Sequence, residues 1–563
     1  MFVVAQHQIL FGLIGGLGLF LFGMRTMSDN LQKVAGDRMR KILASLTNNR
    51  IVGTFVGIAV TAIIQSSSAT TVMVVGFVNA GLLSLVQAIG VVLGANIGTT
   101  ITAQLISLNI AEFSLPAIGI GASLALFSRD RHRSCWGEIL LGFGLLFLGL
   151  SFMKQAFDPL RHSTEIMQIL TLVGDYHLLG ILIGALLTVI VQSSTVTIGI
   201  TLALATSGLI SFEASVALIL GENIGTTITA NFAAIGTNLA ARRTAFCHFL
   251  FNVIGVAYIL IFLPYFMHLV DLLTPGDADA VITTQAQAEI LGGIIGDKPF
   301  IARHIANTHT LFNVINTLVF LPLVGLLAKV STLLIRGVES SGKMRTQFID
   351  NRVLNTPPIA LGMARRETHR MAHVALDMLQ ETNLFFETGD LRKIQSLERN
   401  EELTNLLQKE ITNFLVALSQ QSVSSQSSTE IATLMHVVND LESIGDYCEN
   451  LWSLGRRKVE TGIIFSEIGL NELAEISEET EDFLNFVVEE FESGDLSNDG
   501  IAMSYVDKID DIEKTSRNNH IDRLNTGECA VDPGLIFIDM LHNFKKISEH
   551  SYNITERVSE SRE

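Results

Sequence analysis

Two pairs of segments decide how this chain is read: 61-TAIIQSSSATT-71 with 94-GANIGTTITA-103, and 188-TVIVQSSTVTI-198 with 221-GENIGTTITA-230. When residues 53–105 are aligned with 180–232 at a constant offset of 127, 21 of 53 positions are identical and no gap is needed. The chain therefore contains an internal duplication. In each copy a polar cluster, Gln65-Ser66-Ser67-Ser68-Ala69-Thr70 or Gln192-Ser193-Ser194-Thr195-Val196-Thr197, interrupts an apolar run of membrane-like hydropathy. Irregular backbone at membrane depth is tolerated only where it is buried in protein or lines a cavity. Paired interruptions in two halves point to a transporter's binding site. Gln65 and Gln192 are therefore expected at the tips of two re-entrant hairpins, near 51–79 and 178–207. The alternative is an ordinary contact between Ser/Thr-lined helices.

The repeat extends upstream, where GLGLFLFGMRTM (16–27) matches GFGLLFLGLSFM (142–153) at an offset of 126. Apolar segments near 9–27, 84–107, 113–128, 137–155, 213–235, 245–270 and 304–335 read as membrane spans. The repeats cover about 9–128 and 137–270, with a final span at about 304–335. Each repeat then runs span, hairpin, span, span. A hairpin returns to its own side, so the unit crosses three times and the second copy is inverted. Charge supports this independently. Arg25, Lys33, Arg38, Arg40, Lys41, Arg50, Arg129, Arg131, Arg133, Arg242, Arg243, Arg336, Lys343 and Arg345 fall in loops of one side, against Arg161, Lys298 and Arg303 on the other. By the positive-inside rule the N-terminus is expected outside, the C-terminal part in the cytoplasm, and the hairpins entering from opposite faces of a cytoplasmic (inner) membrane.

Composition divides the chain. Residues 1–335 hold 16 Lys+Arg and 15 Asp+Glu; residues 336–563 hold 22 and 41, a net charge of −19. The first part reads as embedded in the bilayer and the second as a soluble acidic domain. The expected division is 1–338 for transport, 339–358 as linker, and 359–563 as a helical domain. Cys135, Cys247, Cys448 and Cys529 are scattered, with no CxxC spacing, and suggest neither a disulfide framework nor a zinc site. The absence of a P-loop, nucleophile elbow or HExxH argues against a pump or an enzyme.

At a hairpin tip one half-helix ends and another begins, so free carbonyls and free N–H groups meet near the midplane. The N–H groups and the hydroxyls of Ser66, Ser67, Ser68, Ser193, Ser194 and Thr195 suit an anion. Carbonyl and hydroxyl oxygens, with the Gln65 and Gln192 amides, suit a hard cation such as Na+. No Lys or Arg lies in either hairpin core, which favours a cation-coupled anion carrier over a channel with a basic ring. Thr70 and Thr197 complete the tip clusters. Asn96, Thr99, Thr100, Asn223, Thr226 and Thr227 of the NIGTT segments add donors and acceptors, and a hydrogen bond between packed helices is the alternative for the two asparagines. Glu222 replaces Ala95 of the first copy within an apolar segment, where an isolated charge costs about 2.5–3.5 kcal/mol or more. It is expected to be a cation ligand or a proton site. His248-x-x-x-Asn252 and His309-x-x-x-Asn313 echo each other and are expected to hold helices together.

These residues resemble the sodium/phosphate cotransporter family, whose paired QSS hairpins, NIGTT segments and inverted repeat match positions across roughly 9–335. The resemblance implies inorganic phosphate as substrate, Na+ as coupling ion and elevator-like alternating access. The helical periodicity of the acidic part gives six helices in two sets of three, broken near 389, 420–429, 460, 494, 526 and 533. Its third helix carries Glu442 and Asp446 one turn apart on one face and looks like the acidic signature of PhoU-type regulatory domains. That likeness implies divalent or iron-group metal binding there. The equivalent of Glu442 in the sixth helix is Lys545, which argues against a second metal cluster. The fold expected is all-α: a polytopic membrane protein with an inverted repeat and two hairpins, then a six-helix PhoU-like domain. The partners expected are inorganic phosphate, the lipid bilayer and a second copy in a homodimer, with no nucleic acid. Export by the same fold, or a membrane-anchored phosphate sensor without transport, are the alternatives.

Overall fold

Gln65 and Gln192 each end one helix and Ser66 and Ser193 each start another, and these two interruptions organise the first half of the molecule. The computed structural model describes residues 2–44, 49–108, 111–162, 168, 170, 172, 174, 176–291, 293–337, 345–354, 356–421, 423–493 and 499–560. The chain divides into two compact units, Met1–Glu339 and Ser340–Glu563. No strand occurs among the described residues.

In the first unit α1 (Phe2–Ala44) precedes the broken pair α2 (Arg50–Ile64) and α3 (Ser67–Asn79), followed by α4 (Leu85–Ser107) and α5 (Ser114–Phe127). The second copy repeats the order as α6 (Arg131–Phe157), α7 (His177–Val191), α8 (Ser194–Thr206), α9 (Phe212–Ala233) and α10 (Leu239–Ile261). Then come α11 (Leu263–Leu273), α12 (Gln285–Leu291), α13 (Ile301–Phe320) and α14 (Val324–Leu334). Ile9–Ala35, Leu85–Ser107, Arg131–Leu160 and Leu239–Ile261 are long and apolar enough to cross a membrane.

The repeated glycines explain the packing. A Cβ on Gly16 would lie 2.8 Å from the Gly149 carbonyl oxygen, and one on Gly23 would lie 2.5 Å from that of Gly142. The reciprocal additions, on Gly149 and Gly142, meet Gly16 and Gly23 at 2.5 Å. Backbones this close leave room for no side chain. Because Gly16 is the equivalent of Gly142 and Gly23 of Gly149, the contact is self-complementary, as across a two-fold axis. It also runs antiparallel, since the partner number falls as residue number rises. The two copies are thus inverted relative to one another, as loop charge and span counting independently require.

Within each copy the first half of the hairpin lies against the following helix through a second glycine seam. A Cβ on Gly57 would run into the Val91 carbonyl oxygen and one on Gly94 into that of Thr54; in the second copy Gly184 meets Leu218 and Gly221 meets Ile181, each pair displaced by 127 residues.

Three expected spans differ. The segment expected as one helix over 304–335 is bent by 83° between α13 and α14, at Pro322, which can neither donate the helical bond nor fit against the carbonyl four residues back. The segment 245–270 divides at Phe262, with Pro264 in the first turn of α11. It packs against α3 and α4 of the first copy as well as α9. The segment 113–128 forms a helix of only 14 residues.

The second unit consists of α15 (Pro357–Thr388), α16 (Ile394–Ser419) and α17 (Ser425–Glu460), then α18 (Glu467–Ser493), α19 (Asp499–Asn525) and α20 (Val531–Glu560). These are the expected six helices, in two sets of three. Gly389, at φ 64°, closes α15 in the left-handed conformation usual for a glycine cap. The buried Glu367 carboxylate accepts the backbone N–H groups of Gln347 (2.8 Å), Phe348 and Ile349 (3.3 Å) and pairs with Arg370 at 2.6 Å, which fastens residues 347–349 to α15. Residues 339–344 and 355 of the expected linker, and the break expected near 494, lie outside the described residues.

Candidate functional site

At each hairpin tip the chain adopts the same unusual backbone. Gln65 (φ 58°, ψ 24°) and Gln192 (φ 56°, ψ 24°) are the only non-glycine residues with positive φ among those described. Their N–H groups bond to the Thr61 and Thr188 carbonyls at 2.7 Å, closing α2 and α7. Ser66 and Ser193 follow in extended conformation and cap the next helices, their hydroxyls accepting from the N–H groups of Ala69 (3.2 Å) and Val196 (3.4 Å). Thr61 donates to Thr70 at 3.0 Å and Thr188 to Thr197 at 3.1 Å, pinning the two arms of each hairpin together.

The two tips meet around one narrow polar cavity, closed in this conformation even to a water molecule and lined by Ser67, Asn96, Thr99, Ser194, Asn223, Thr226 and His309. Six of these are three repeat-related pairs: Ser67 with Ser194, Asn96 with Asn223, and Thr99 with Thr226. Ser67 and Ser194 open the first turns of α3 and α8, so the positive ends of two helices face the same space. The remaining bonds set what each wall presents. Thr99 and Thr226 donate to the carbonyls of Ala95 (3.2 Å) and Glu222 (2.9 Å), which leaves their oxygen lone pairs free. Asn96 takes His248 Nε2 on its Oδ1 at 3.1 Å, and its buried Nδ2 has no partner. Asn223 donates to the Ile219 carbonyl at 2.8 Å and accepts from Asn313 at 3.1 Å. The cavity therefore combines donors for an anion with acceptors for a cation.

The other expected residues do not line it. Ser66 and Ser193 are caps; Thr70 and Thr197 hold the hairpin arms; Thr100 and Thr227 donate to Ile97 and Ile224 at 2.7 Å. Ser68 is half-buried and Thr195 buried beside the lining serines. Gln65 Oε1 accepts from Thr102 at 2.6 Å and its Nε2 donates to the Ala62 carbonyl, whereas Gln192 is exposed. Glu222 is fully buried, with neither carboxylate oxygen hydrogen-bonded. Thr102 and His309 were not among the expected site residues. Thr102 belongs to the repeated NIGTTIT segment, and His309 carried the signal of its echo at His248.

In the second unit the acidic group differs from the expected one. Glu401 of α16 joins Asp446 and Glu449 of α17, with ligand oxygens all within 4.8 Å of one another, while Glu442 lies outside the group. A neighbouring helix supplies the third carboxylate, which spacing along one helix cannot predict. Burial raises the carboxyl pKa values of Glu401, Glu442 and Asp446, and Glu449 adds to the shift at Glu401. In the last helix Lys545 pairs with Asp510 at 2.9 Å and Glu549 with Lys546 at 2.6 Å, so ion pairs stand where a second ligand set would be.

An inverted pair of broken helices around a polar cavity, with helices able to cross a bilayer, defines a membrane transporter fold. Residues 19–155 and 161–274 match the Na+/Pi-cotransporter family, and residues 368–453 match the PhoU domain. The chain belongs to that phosphate-transporter family and carries a PhoU domain. It is 27% identical over 556 residues, 97% of this chain and 98% of the relative, to the "Putative inorganic phosphate export protein YjbB" of Escherichia coli (strain K12). It is 33% identical to the "Uncharacterized protein YqeW" of Bacillus subtilis (strain 168) over 56% of this chain and 95% of that one. Over 17% of this chain and 15% of the relative it is 37% identical to the "Sodium-dependent phosphate transport protein 2A" of Rattus norvegicus.

Proposed function

We propose that this protein is a secondary transporter that moves inorganic phosphate with Na+ across a cytoplasmic membrane, and that its PhoU domain regulates it. The observation that carries this reading is the meeting of three repeat-related pairs around one cavity between two helix N-termini. Ser67, Ser194 and Asn96 are positioned to donate to phosphate oxygens. The Thr99 and Thr226 oxygens, with the tip residues and Glu222, offer oxygen ligands to the coupling cation. None of the lining residues is Lys or Arg, so the anion's charge is offset by helix ends and by the co-transported cation.

The N-terminus is assigned to the outside and the PhoU domain to the cytoplasm, on the loop charges alone. Elevator-like movement of the hairpins is part of the same proposal. In the PhoU domain the carboxylates of Glu401, Asp446 and Glu449 provide hard oxygen ligands suited to a divalent cation. Export is the second reading of direction, favoured by the name of the relative that matches over 97% of this chain. A carrier runs either way with its gradients.

The test is flux of labelled phosphate in proteoliposomes of purified protein, with Na+ gradients imposed inward, outward or replaced by K+, and with Gln192→Ala as control. Accumulation is expected to follow the Na+ gradient and to fail in the variant. Phosphate binding without flux under any gradient would instead identify a sensor.

A further inference from the structure

The echoed motifs His248-x-x-x-Asn252 and His309-x-x-x-Asn313 are placed alike and act differently. On α10, Asn252 donates to the His248 carbonyl at 3.0 Å, and His248 Nε2 reaches Asn96 Oδ1 at 3.1 Å. On α13, Asn313 donates both to the His309 carbonyl at 2.9 Å and to Asn223 Oδ1 at 3.1 Å. In the first copy the histidine holds the lining asparagine; in the second the asparagine does so, which leaves the histidine for another role. His309 lines the cavity itself, is 2% exposed, and its Nδ1 has no hydrogen-bond partner. A buried polar atom left unpaired is costly unless something fills the role.

The other walls define what is lacking. Ser67, Ser194 and Asn96 Nδ2 are donors, suited to any tetrahedral oxyanion. Phosphate near neutral pH differs from sulfate in keeping at least one P–OH, whose proton needs an acceptor. A neutral imidazole has one N–H and one bare nitrogen, so it can both donate to a phosphoryl oxygen and accept from that hydroxyl. Sites built to pair a substrate's polar hydrogen reject analogues that lack it.

We propose that His309 contacts the transported anion directly and selects a protonated tetrahedral oxyanion, phosphate or arsenate, over sulfate, while His248 acts only by orienting Asn96. This rests on the transport reading above and names the specificity determinant of that same cavity.

The experiment compares wild type, His309→Ala, His309→Gln and His248→Gln in proteoliposomes, measuring half-saturation for phosphate and competition by arsenate and sulfate, with thermal unfolding of each purified protein as a fold control. His309→Ala raises the half-saturating phosphate concentration by about tenfold, the scale of one lost hydrogen bond in a buried site. It weakens arsenate competition in parallel and narrows the preference over sulfate. His309→Gln, whose amide keeps a donor and an acceptor, recovers part of the affinity and serves alone if the alanine variant does not fold. His248→Gln shifts half-saturation by less than His309→Ala and leaves the phosphate-to-sulfate ratio as in wild type. A folded His309 variant with wild-type half-saturation and wild-type sulfate discrimination, beside a wild type that transports phosphate, overturns this assignment alone. Equal changes at both histidines overturn it too, because both would then be structural. A wild type that neither binds nor moves phosphate overturns the transport reading and this assignment with it.

Discussion

Replacing Gln192 by glycine separates the conformation of the hairpin tip from its chemistry. Gln192 sits at φ 56°, where an L-residue is disfavoured by about 1–2 kcal/mol. Glycine removes that strain but carries an unfolded-state entropy penalty of about 0.5–1 kcal/mol, so the expected balance is a gain of about 0.5–1 kcal/mol. Gln65→Gly relieves the same strain and also loses the 2.6 Å bond from Thr102 and the bond to the Ala62 carbonyl, together a contribution of about 1 kcal/mol, which brings its balance near zero. The two variants therefore differ by about 1 kcal/mol in favour of Gln192→Gly. Thermal unfolding of the purified protein in detergent reads this as a rise of a degree or two for Gln192→Gly relative to Gln65→Gly, about what such a difference gives a large domain. Under the proposed part of the tip amides in cation coupling, flux in proteoliposomes should fall in both. A Gln192→Gly protein less stable than wild type would refute the strain argument. One with unchanged Na+-dependent flux would show that the strained conformation is not maintained for the side chain.

Ser67→Ala and Ser194→Ala, related by the repeat and both on the cavity wall, should each raise half-saturating phosphate by about tenfold; an effect confined to one would break the pseudo-symmetry of the site. Glu222→Gln should weaken the Na+ dependence of flux while leaving the fold intact, since no partner of the carboxylate is lost; an unchanged Na+ titration would remove Glu222 from the cation's ligands. In the PhoU domain, burial raises the Asp446 pKa, so the folded state holds this proton more tightly than the unfolded chain does. That stabilisation is complete below the unfolded value of about 3.9 and is lost as pH rises through the raised folded value. Asp446→Asn should therefore raise the unfolding temperature of that unit at neutral pH, with a gain that vanishes near pH 4; a gain independent of pH would contradict the burial argument.

The hairpins were legible because two matching polar clusters cannot lie in hydrocarbon as continuous helix, and a fixed offset placed their partners. The two long apolar runs at 245–270 and 304–335 were misread as unbroken although Pro264 and Pro322 lay inside them; hydropathy is blind to a missing N–H, and the prolines carried the breaks. What periodicity could not reach were contacts between helices distant in sequence. The spacing of His309 and Asn313 put both on one face of α13, but nothing in it said that this face would turn to Asn223, 90 residues earlier. Likewise Glu442 and Asp446 share a face of α17, yet the carboxylates that gather are Asp446, Glu449 one turn on, and Glu401 from α16.

The glycine seams constrain how the cavity can open. On α2 and α4, Gly57 and Gly94 bring backbone against backbone, and Gly184 and Gly221 repeat this on α7 and α9. Ser67 is thereby fixed relative to Asn96 and Thr99, and Ser194 relative to Asn223 and Thr226. A hairpin that swung away from its neighbouring helix as a gate would have to abandon that packing on every cycle. One that travels with its helix keeps it, which supports block movement. A disulfide between Gly53→Cys and Val91→Cys tests this, because a Cβ on Gly53 would lie 3.6 Å from Val91 Cγ2, so the two side chains meet across the seam. Under block movement the cross-linked protein transports phosphate as the reduced one does. Flux abolished by oxidation and restored by reduction would show that α2 parts from α4 in each cycle and would defeat the elevator reading.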